Sequence, residues 1–328
     1  MFIDILLLLV GLGLILFGAN YLVEGSSYIA RRFGISEFVV GLTIVGIGTS
    51  TPEMVVSFIS SFEGSSDIAI GNIVGSNIAN VFLILGVTGM ISPIALTRNN
   101  IRKDIPFSIF VSVLLFLLSY DALLWGKETN VLSRIDGAVL LILFVLFMIY
   151  SFKTPPPESE LENNEENNEN NIEGKKRPRI AIATVKILAG LATLVFGGKL
   201  FVNSGRDIAT AAGMSEAYIG ITIMALGTSL PELATSVVAA LKKKGQMALG
   251  NIIGSNVSNI LLILGGSSLI HPLTLGNITI VDFAVMISTT ILLLPCAFTF
   301  KKNYIDRWEG LIFFIIYVAY ITYLTTQL

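Results

Sequence analysis

The chain has little of what soluble proteins use for their surfaces and for their chemistry. Charged residues occupy 13% of its 328 positions, roughly half the share of an ordinary soluble domain. There is one cysteine and one histidine. Cys296 has no intrachain partner for a disulfide, and its apolar setting, ILLLPCAFTF, reads as a packed thiol. His271 stands alone before Pro272. With no HExxH and no second imidazole, hydrolase chemistry of the zinc or nucleophile–base kind lacks its parts. No basic stripe interleaved with aromatics is present, which excludes nucleic-acid binding as a reading. The net charge of −2 names no partner.

What fills the chain is apolar: 53% hydrophobic residues and a mean hydropathy of +0.79. The apolar residues come in blocks of about 20, each long enough to cross ~30 Å of hydrocarbon as a helix. The pattern predicts an all-α multi-pass protein of the cell membrane with ten spans. These are 2–23, 37–62, 68–90, 104–124, 133–152, 181–203, 217–241, 247–270, 280–300 and 307–326. The first block has no basic segment before it and is too long for a signal-peptide core, so it is expected to remain as the first helix.

Between the fifth and sixth spans, residues 153–180 are rich in Pro, Glu and Asn and nearly free of apolar side chains. Such a segment cannot bury enough surface to order itself, so it reads as a flexible linker. Sensing of a divalent cation is the alternative reading for its acidic stretch. The linker divides the chain into halves at 1–152 and 181–328. Sixteen of the 21 basic residues fall on the side of the linker, among them Arg31, Arg32, Arg102, Lys103, Lys153, Lys242, Lys243, Lys244, Lys301 and Lys302. Positive charge marks the cytoplasmic side. The linker is therefore expected inside and both termini outside.

The halves repeat each other. GLTIVGIGTSTPEMVVS at 41–57 returns as GITIMALGTSLPELATS at 220–236, and GNIVGSNIANVFLILG at 71–86 as GNIIGSNVSNILLILG at 250–265. The register holds without a gap from Gly34 and Gly213 to Pro93 and Pro272. A half of five spans puts its successor into the membrane from the opposite side, so the repeats are expected to be inverted. In transporters of that design, interrupted helices from the two halves meet at a binding site near the midplane.

The residues that interrupt these spans are unusual for apolar helices. Pro52 and Pro231 remove a backbone donor and crowd the carbonyls of Gly48 and Gly227. Freed carbonyls at membrane depth persist only against protein or a wet cavity. Around them stand Thr49, Ser50, Glu53 and Ser57, then Asn72, Ser76 and Asn80 at four-residue intervals. The second copy supplies Thr228, Ser229, Glu232, Ser236, Asn251, Ser255 and Asn259. These are hard oxygen donors, which favour calcium or alkali cations over zinc or copper. Glu53 and Glu232 in one dry pocket cannot both ionise without counter-charge. One Ca²⁺ cancels them, as do two monovalent ions, but not both sets together. That is a physical basis for exchange.

Other readings stand beside this one. Gly and Ser in membrane helices commonly serve close packing. A purely structural Glu53–Glu232 pair runs against the cost of burying carboxylates in a membrane. His271 reads as interfacial, with proton coupling as its alternative. A passive channel would call for a filter repeat or a charged ring, and neither is present.

GTSTPE and GTSLPE, each followed by GNI(V/I)GSN(I/V)xN, resemble the two α-repeats of the cation/calcium antiporter superfamily. More narrowly they are similar to sodium/calcium exchangers of the prokaryotic type. The resemblance spans essentially the whole chain and implies a ten-helix bundle of two inverted five-helix repeats working as a secondary antiporter, not an enzyme. It implies Na⁺ and Ca²⁺ as substrates, no cofactor, the lipid bilayer as surroundings and function as a monomer. It further implies that Glu53 and Glu232 bridge a central divalent site and the sodium sites, with oxygens from Thr49, Ser50, Thr228 and Ser229. Ser76 and Ser255 would complete flanking sodium sites with carbonyls near Gly46 and Ala225, and Asn80 and Asn259 would line the middle. Potassium-dependent relatives carry Asp where this chain has Asn259. The resemblance thus implies a potassium-independent 3 Na⁺: 1 Ca²⁺ cycle, with H⁺/Ca²⁺ antiport as the alternative.

Overall fold

The computed structural model describes residues 2–121, 126, 129–153, 180–214, 225–276 and 278–326. Most of the expected linker, 154–179, and the start of the expected seventh span, 217–224, lie outside the described residues. Among the described residues, the regular structure is helical apart from four two-residue strands. In order, the helices are α1 (Phe2–Phe33), α2 (Glu37–Thr49), α3 (Thr51–Phe62), α4 (Ser66–Ile91), α5 (Ile105–Ser119) and α6 (Arg134–Lys153). After the linker come α7 (Ile180–Ala211), the four-residue α8 (Ala225–Thr228), α9 (Leu230–Leu241), α10 (Gly245–Ile270), α11 (Ile280–Cys296) and α12 (Arg307–Thr326).

Six of these are long and apolar enough to cross a membrane: α1, α4, α6, α7, α10 and α12. A seventh span arises if α2 and α3, bent by 48° at their junction, count as one. Burial separates two classes. The most apolar stretches of α4 and α10 are 72% and 94% buried, against 22% for α1, α6, α7 and α12. The first pair therefore forms the centre of the bundle. The second group turns apolar side chains such as Phe2, Leu9, Leu146, Val185 and Ile315 outward, as a lipid-facing helix does.

Glycine decides how closely the outer pair packs. α1 and α7 run antiparallel, and a Cβ added at Gly18 would stand 2.8 Å from the Gly190 carbonyl oxygen, while one at Gly190 would stand 2.8 Å from that of Gly18. Backbone contact of this kind supplies the packing that apolar attraction cannot supply in lipid.

Two antiparallel ladders close the bundle. β1 (Ile94–Ala95) pairs with β4 (Tyr304–Ile305), and β2 (Val131–Leu132) with β3 (Leu273–Thr274). Each joins the first half to the second. Ile94 opposes Ile305 and Leu132 opposes Leu273, all four fully buried. Ile94 and Leu273 are themselves equivalent positions of the repeat, 179 residues apart.

Candidate cation site

Pro52 starts a helix instead of kinking one. It occupies the first turn of α3, where its missing N–H has no intrahelical role. α2 ends at Thr49, and the chain turns through Ser50. The Gly48 carbonyl, expected to be left open, accepts the Thr51 hydroxyl at 2.7 Å. The neighbouring Gly46 carbonyl is the one that gathers donors: the Ser50 N–H at 3.1 Å, the Thr49 hydroxyl at 3.3 Å and, from the other half, the Ser255 hydroxyl at 3.2 Å. Pro231 takes the same place at the start of α9.

This break puts both carboxylates at helix starts inside the bundle. Glu53 and Glu232 lie in the first turns of α3 and α9 and are fully buried. The N-terminal end of a helix carries partial positive charge, which favours a carboxylate there. Each carboxylate is met by the opposite half. Ser50 donates to Glu232 Oε1 at 3.0 Å, and Ser229 donates to Glu53 Oε1 at 3.5 Å. Ser76 donates to the same Glu53 oxygen at 3.4 Å and lies 3.3 Å from the Ser229 hydroxyl. Thr228 stands beside Glu53 and Thr49 beside Glu232.

The asparagines do two different jobs. Asn72 donates to the Glu53 carbonyl at 3.3 Å and to the Ser57 hydroxyl at 3.1 Å. Asn251, its equivalent, donates to the Glu232 carbonyl at 3.3 Å and to Ser236 at 2.9 Å. Both thus hold the backbone of a carboxylate helix, and Asn251 also accepts from Thr49 at 3.1 Å. The sequence pattern groups these two with the oxygen donors, but their amide N–H groups face the site's frame.

A second set ties the two halves together. Asn77 donates to the Asn256 carbonyl at 3.2 Å, and Asn256 returns a bond to the Asn77 carbonyl at 3.4 Å. Asn80 donates to Asn256 Oδ1 at 2.9 Å, and Asn259 to Asn77 Oδ1 at 3.0 Å. Sequence reasoning missed Asn77 and Asn256. The signal was available: GSN is repeated at the same offset of 179 residues that separates these two side chains. It also missed that Asn80 and Asn259 each begin a wide π-helical segment, Asn80–Leu85 and Asn259–Leu264. Such bulges mark functional places in helices.

Breaking the reciprocal clasp leaves buried donors and acceptors unmatched, at about 1–3 kcal/mol each. Asn77→Ala and Asn256→Ala are therefore each expected to destabilise the protein. The double variant should lose roughly 1 kcal/mol less than the sum, because the two share bonds. Thermal unfolding of the four proteins in one detergent checks this, and strict additivity would rule the clasp out.

Four buried oxygens at the centre have no hydrogen-bond partner: Glu53 Oε2, Glu232 Oε2, Asn80 Oδ1 and Asn259 Oδ1. All four are acceptors, and they come in two equivalent pairs. A buried carboxylate oxygen left unmatched is costly. The structure therefore brings together Glu53, Glu232, Asn80, Asn259, Thr49, Ser50, Thr228, Ser229, Ser76, Ser255 and Gly46. Of Ala225 it gives only the place, at the start of α8. A cavity of about 610 Å³ reaches this group, touching Asn72, Ser76 and Thr228 and extending past Gly75 to Asp282 and Tyr320. Among the described residues there is no group of three or more His, Cys, Asp or Glu able to hold a metal ion. The polar groups gathered here are two carboxylates and neutral oxygens.

A family model described as "Sodium/calcium exchanger protein" matches residues 3–153 and 182–326. The chain is 38% identical over 327 residues to a putative antiporter, CaxA, of Alkalimonas amylolytica, with 98% of each chain covered. It is 36% identical over 349 residues to the sodium/calcium exchanger MaX1 of Methanosarcina acetivorans, again with 98% of each covered. Among solved structures it is similar to the sodium-calcium exchanger NCX_Mj soaked with 2.5 mM Na⁺ and 0.1 mM Ca²⁺. There the TM-score is 0.81 and the identity 35%, over 98% of each chain.

Proposed function

The chain belongs to the sodium/calcium exchanger family, a family of transporters and not of enzymes, and from that premise we propose that it exchanges Na⁺ for Ca²⁺ across the cell membrane. One observation carries the reading. Glu53 Oε2, Glu232 Oε2, Asn80 Oδ1 and Asn259 Oδ1 are buried acceptors without donors, contributed in equal parts by the two repeats. Protein groups leave them unmatched, and a cation matches them.

The substrates follow from charge and donor type. Two carboxylates with amide and hydroxyl oxygens suit a hard cation. One Ca²⁺ neutralises the pair. Two Na⁺ do the same, and a third, at the flanking oxygens of Ser76, Ser255, Gly46 and Ala225, leaves one net positive charge. A doubly negative pair in a dry interior resists moving across the bilayer. The carrier therefore crosses loaded with one set or the other, which is antiport, and a 3 Na⁺: 1 Ca²⁺ cycle moves net charge. Asn259 donates to Ser76 and to Asn77. An ionised aspartate could donate neither bond, and as an asparagine residue 259 adds no third carboxylate. This supports potassium independence.

The transport cycle is read as alternating access by a monomer of ten spans in two inverted five-helix repeats. Support comes from the reciprocal contacts. Ser50 to Glu232 mirrors Ser229 to Glu53, the asparagine clasp is its own mirror image, and the two ladders exchange equivalent strands. In the proposed orientation, with both termini outside and residues 153–180 inside, the cavity past Asp282 opens outward. Ions then reach Ser76 and Thr228 from the outer side.

Reconstituted protein in Na⁺-loaded liposomes, diluted into Na⁺-free medium containing ⁴⁵Ca²⁺, should accumulate calcium. Uptake should rise when a potassium diffusion potential makes the exchange of positive charge outward more favourable, and should be unchanged by K⁺ clamped equal on both sides. Uptake driven by a proton gradient and indifferent to Na⁺ would assign H⁺/Ca²⁺ antiport instead.

A further inference from the structure

At the end of the bundle away from Asp282, four basic side chains from two helices and a turn meet around one cavity. Arg31 comes from the last turn of α1, Lys186 from α7, and Lys242 and Lys244 from the turn between α9 and α10. The cavity measures about 280 Å³ and is also lined by Gly25, Ser27, Tyr28, Ile182 and Ala183. Sequence patterning places Lys186 inside a span. The structure returns it to the basic end, beside the residues that mark the cytoplasmic side.

Two carboxylates lie among these cations and leave positive charge in excess. Glu24 bonds Lys186 at 2.7 Å and Lys242 at 2.9 Å. Glu37 pairs with Lys244. Arg31 makes no ion pair among the described residues, and the group as a whole carries two more positive than negative charges. Lys186 and Lys242 keep about a third of their side-chain surface open. Each ammonium also has donors beyond its one carboxylate bond. The mouth is flanked by apolar surface, with Ile182 49% exposed and Leu241 66% exposed. A soluble anion has no use for those side chains, but an acyl chain does.

We propose that this cavity binds the phosphate of an anionic phospholipid, with the headgroup among Arg31, Lys186, Lys242 and Lys244 and the glycerol end against Ile182. Basic pockets between membrane helices at the cytoplasmic surface recognise such headgroups. The position gives binding a consequence. Glu24 already joins α1 and α7 to the end of α9, the helix whose other end carries Glu232. A phosphate bridging Arg31, Lys242 and Lys186 adds a second tie across the same seam, so occupancy resists relative movement of the α1–α7 pair and the helices around the ions.

The test uses the full-length protein in mixed micelles with phosphatidylglycerol or phosphatidylcholine, read by native mass spectrometry. Phosphatidylglycerol should be retained at one site and phosphatidylcholine should not. Arg31→Gln and Lys242→Gln should each weaken retention about fivefold, as each removes one cation near the membrane surface. Ile182→Trp, which narrows the cavity mouth and keeps every charge, should weaken it as well. Phosphatidylglycerol retained equally by all variants would overturn the site. Inorganic phosphate protecting Lys242 from acylation while no lipid is retained would assign a soluble anion and overturn the lipid. The readout needs no transport, so its failure and the failure of Na⁺/Ca²⁺ exchange are separable.

Discussion

Glu53→Gln and Glu232→Gln are each expected to lower Na⁺-driven Ca²⁺ uptake at least a hundredfold, with the protein folded. Glutamine keeps the shape and one acceptor oxygen, so the Ser229 and Ser76 bonds to residue 53, or the Ser50 bond to residue 232, can persist. What it removes is charge. Taking one carboxylate from a buried cation costs about 3–5 kcal/mol, which is roughly two to four decades in affinity. The effect on the ion-free protein runs the other way, because the change relieves repulsion between two buried carboxylates. Ion-free unfolding temperatures should therefore be equal to or above that of the parent. A ligand that binds only the folded state raises the unfolding temperature with its concentration. Millimolar Ca²⁺ should do so for the parent and fail to do so for either variant. A variant that unfolds early without ions, or one that keeps full uptake, would remove these residues from the centre of the site.

The second large effect is expected at a residue with no side chain. Gly254→Ala should lower the unfolding temperature by about 5 °C or more and weaken Na⁺ dependence, whereas Gly75→Ala should move the temperature by no more than about 1 °C. A Cβ at 254 would stand 2.7 Å from the carbonyl carbon of Leu42 in α2. The obstacle is backbone, which cannot rotate away. Overpacking of this kind costs about 1–3 kcal/mol, at a few degrees per kcal/mol in a chain of this size. Pushing α10 from α2 also separates Ser255 from the Gly46 carbonyl, now 3.2 Å apart. Gly75 is the equivalent position in the first repeat. A Cβ there meets nothing within 4 Å among the described residues and faces the 610 Å³ cavity. Equal shifts for the two alanine variants, measured side by side in detergent, would contradict this asymmetry.

Much of the site was legible in the chain because membrane chemistry makes its polar residues conspicuous. A carboxylate, a proline and a run of hydroxyls inside an apolar helix have few explanations. Their recurrence 179 residues later removes most of those. Glu53, Glu232, Asn80 and Asn259 all belong to the oxygen-donor pattern visible in the sequence, and each has a buried side-chain oxygen without a hydrogen-bond partner. Less legible was which polar residue serves as donor and which as acceptor. An asparagine offers both, so Asn72 and Asn251 looked like ligands and prove to brace the carboxylate helices. Pro52 could be read as a break, but not as the first turn of a new helix that carries Glu53 at its positive end.

By itself the sequence determined that this is a membrane protein, that its two halves repeat, and that hard oxygen donors cluster in GTSTPE and GTSLPE. Periodicity, composition and residue type are local properties, and these conclusions need nothing else. Only the tertiary structure decided how the equivalent residues differ. GSN occurs twice in identical form, yet one copy has its glycine clamped against Leu42 and its serine bonded to Gly46, while the other opens onto a cavity. A repeated sequence carries no information that distinguishes its copies. The distinction comes from what packs against each, and hence from the folded arrangement of the whole bundle.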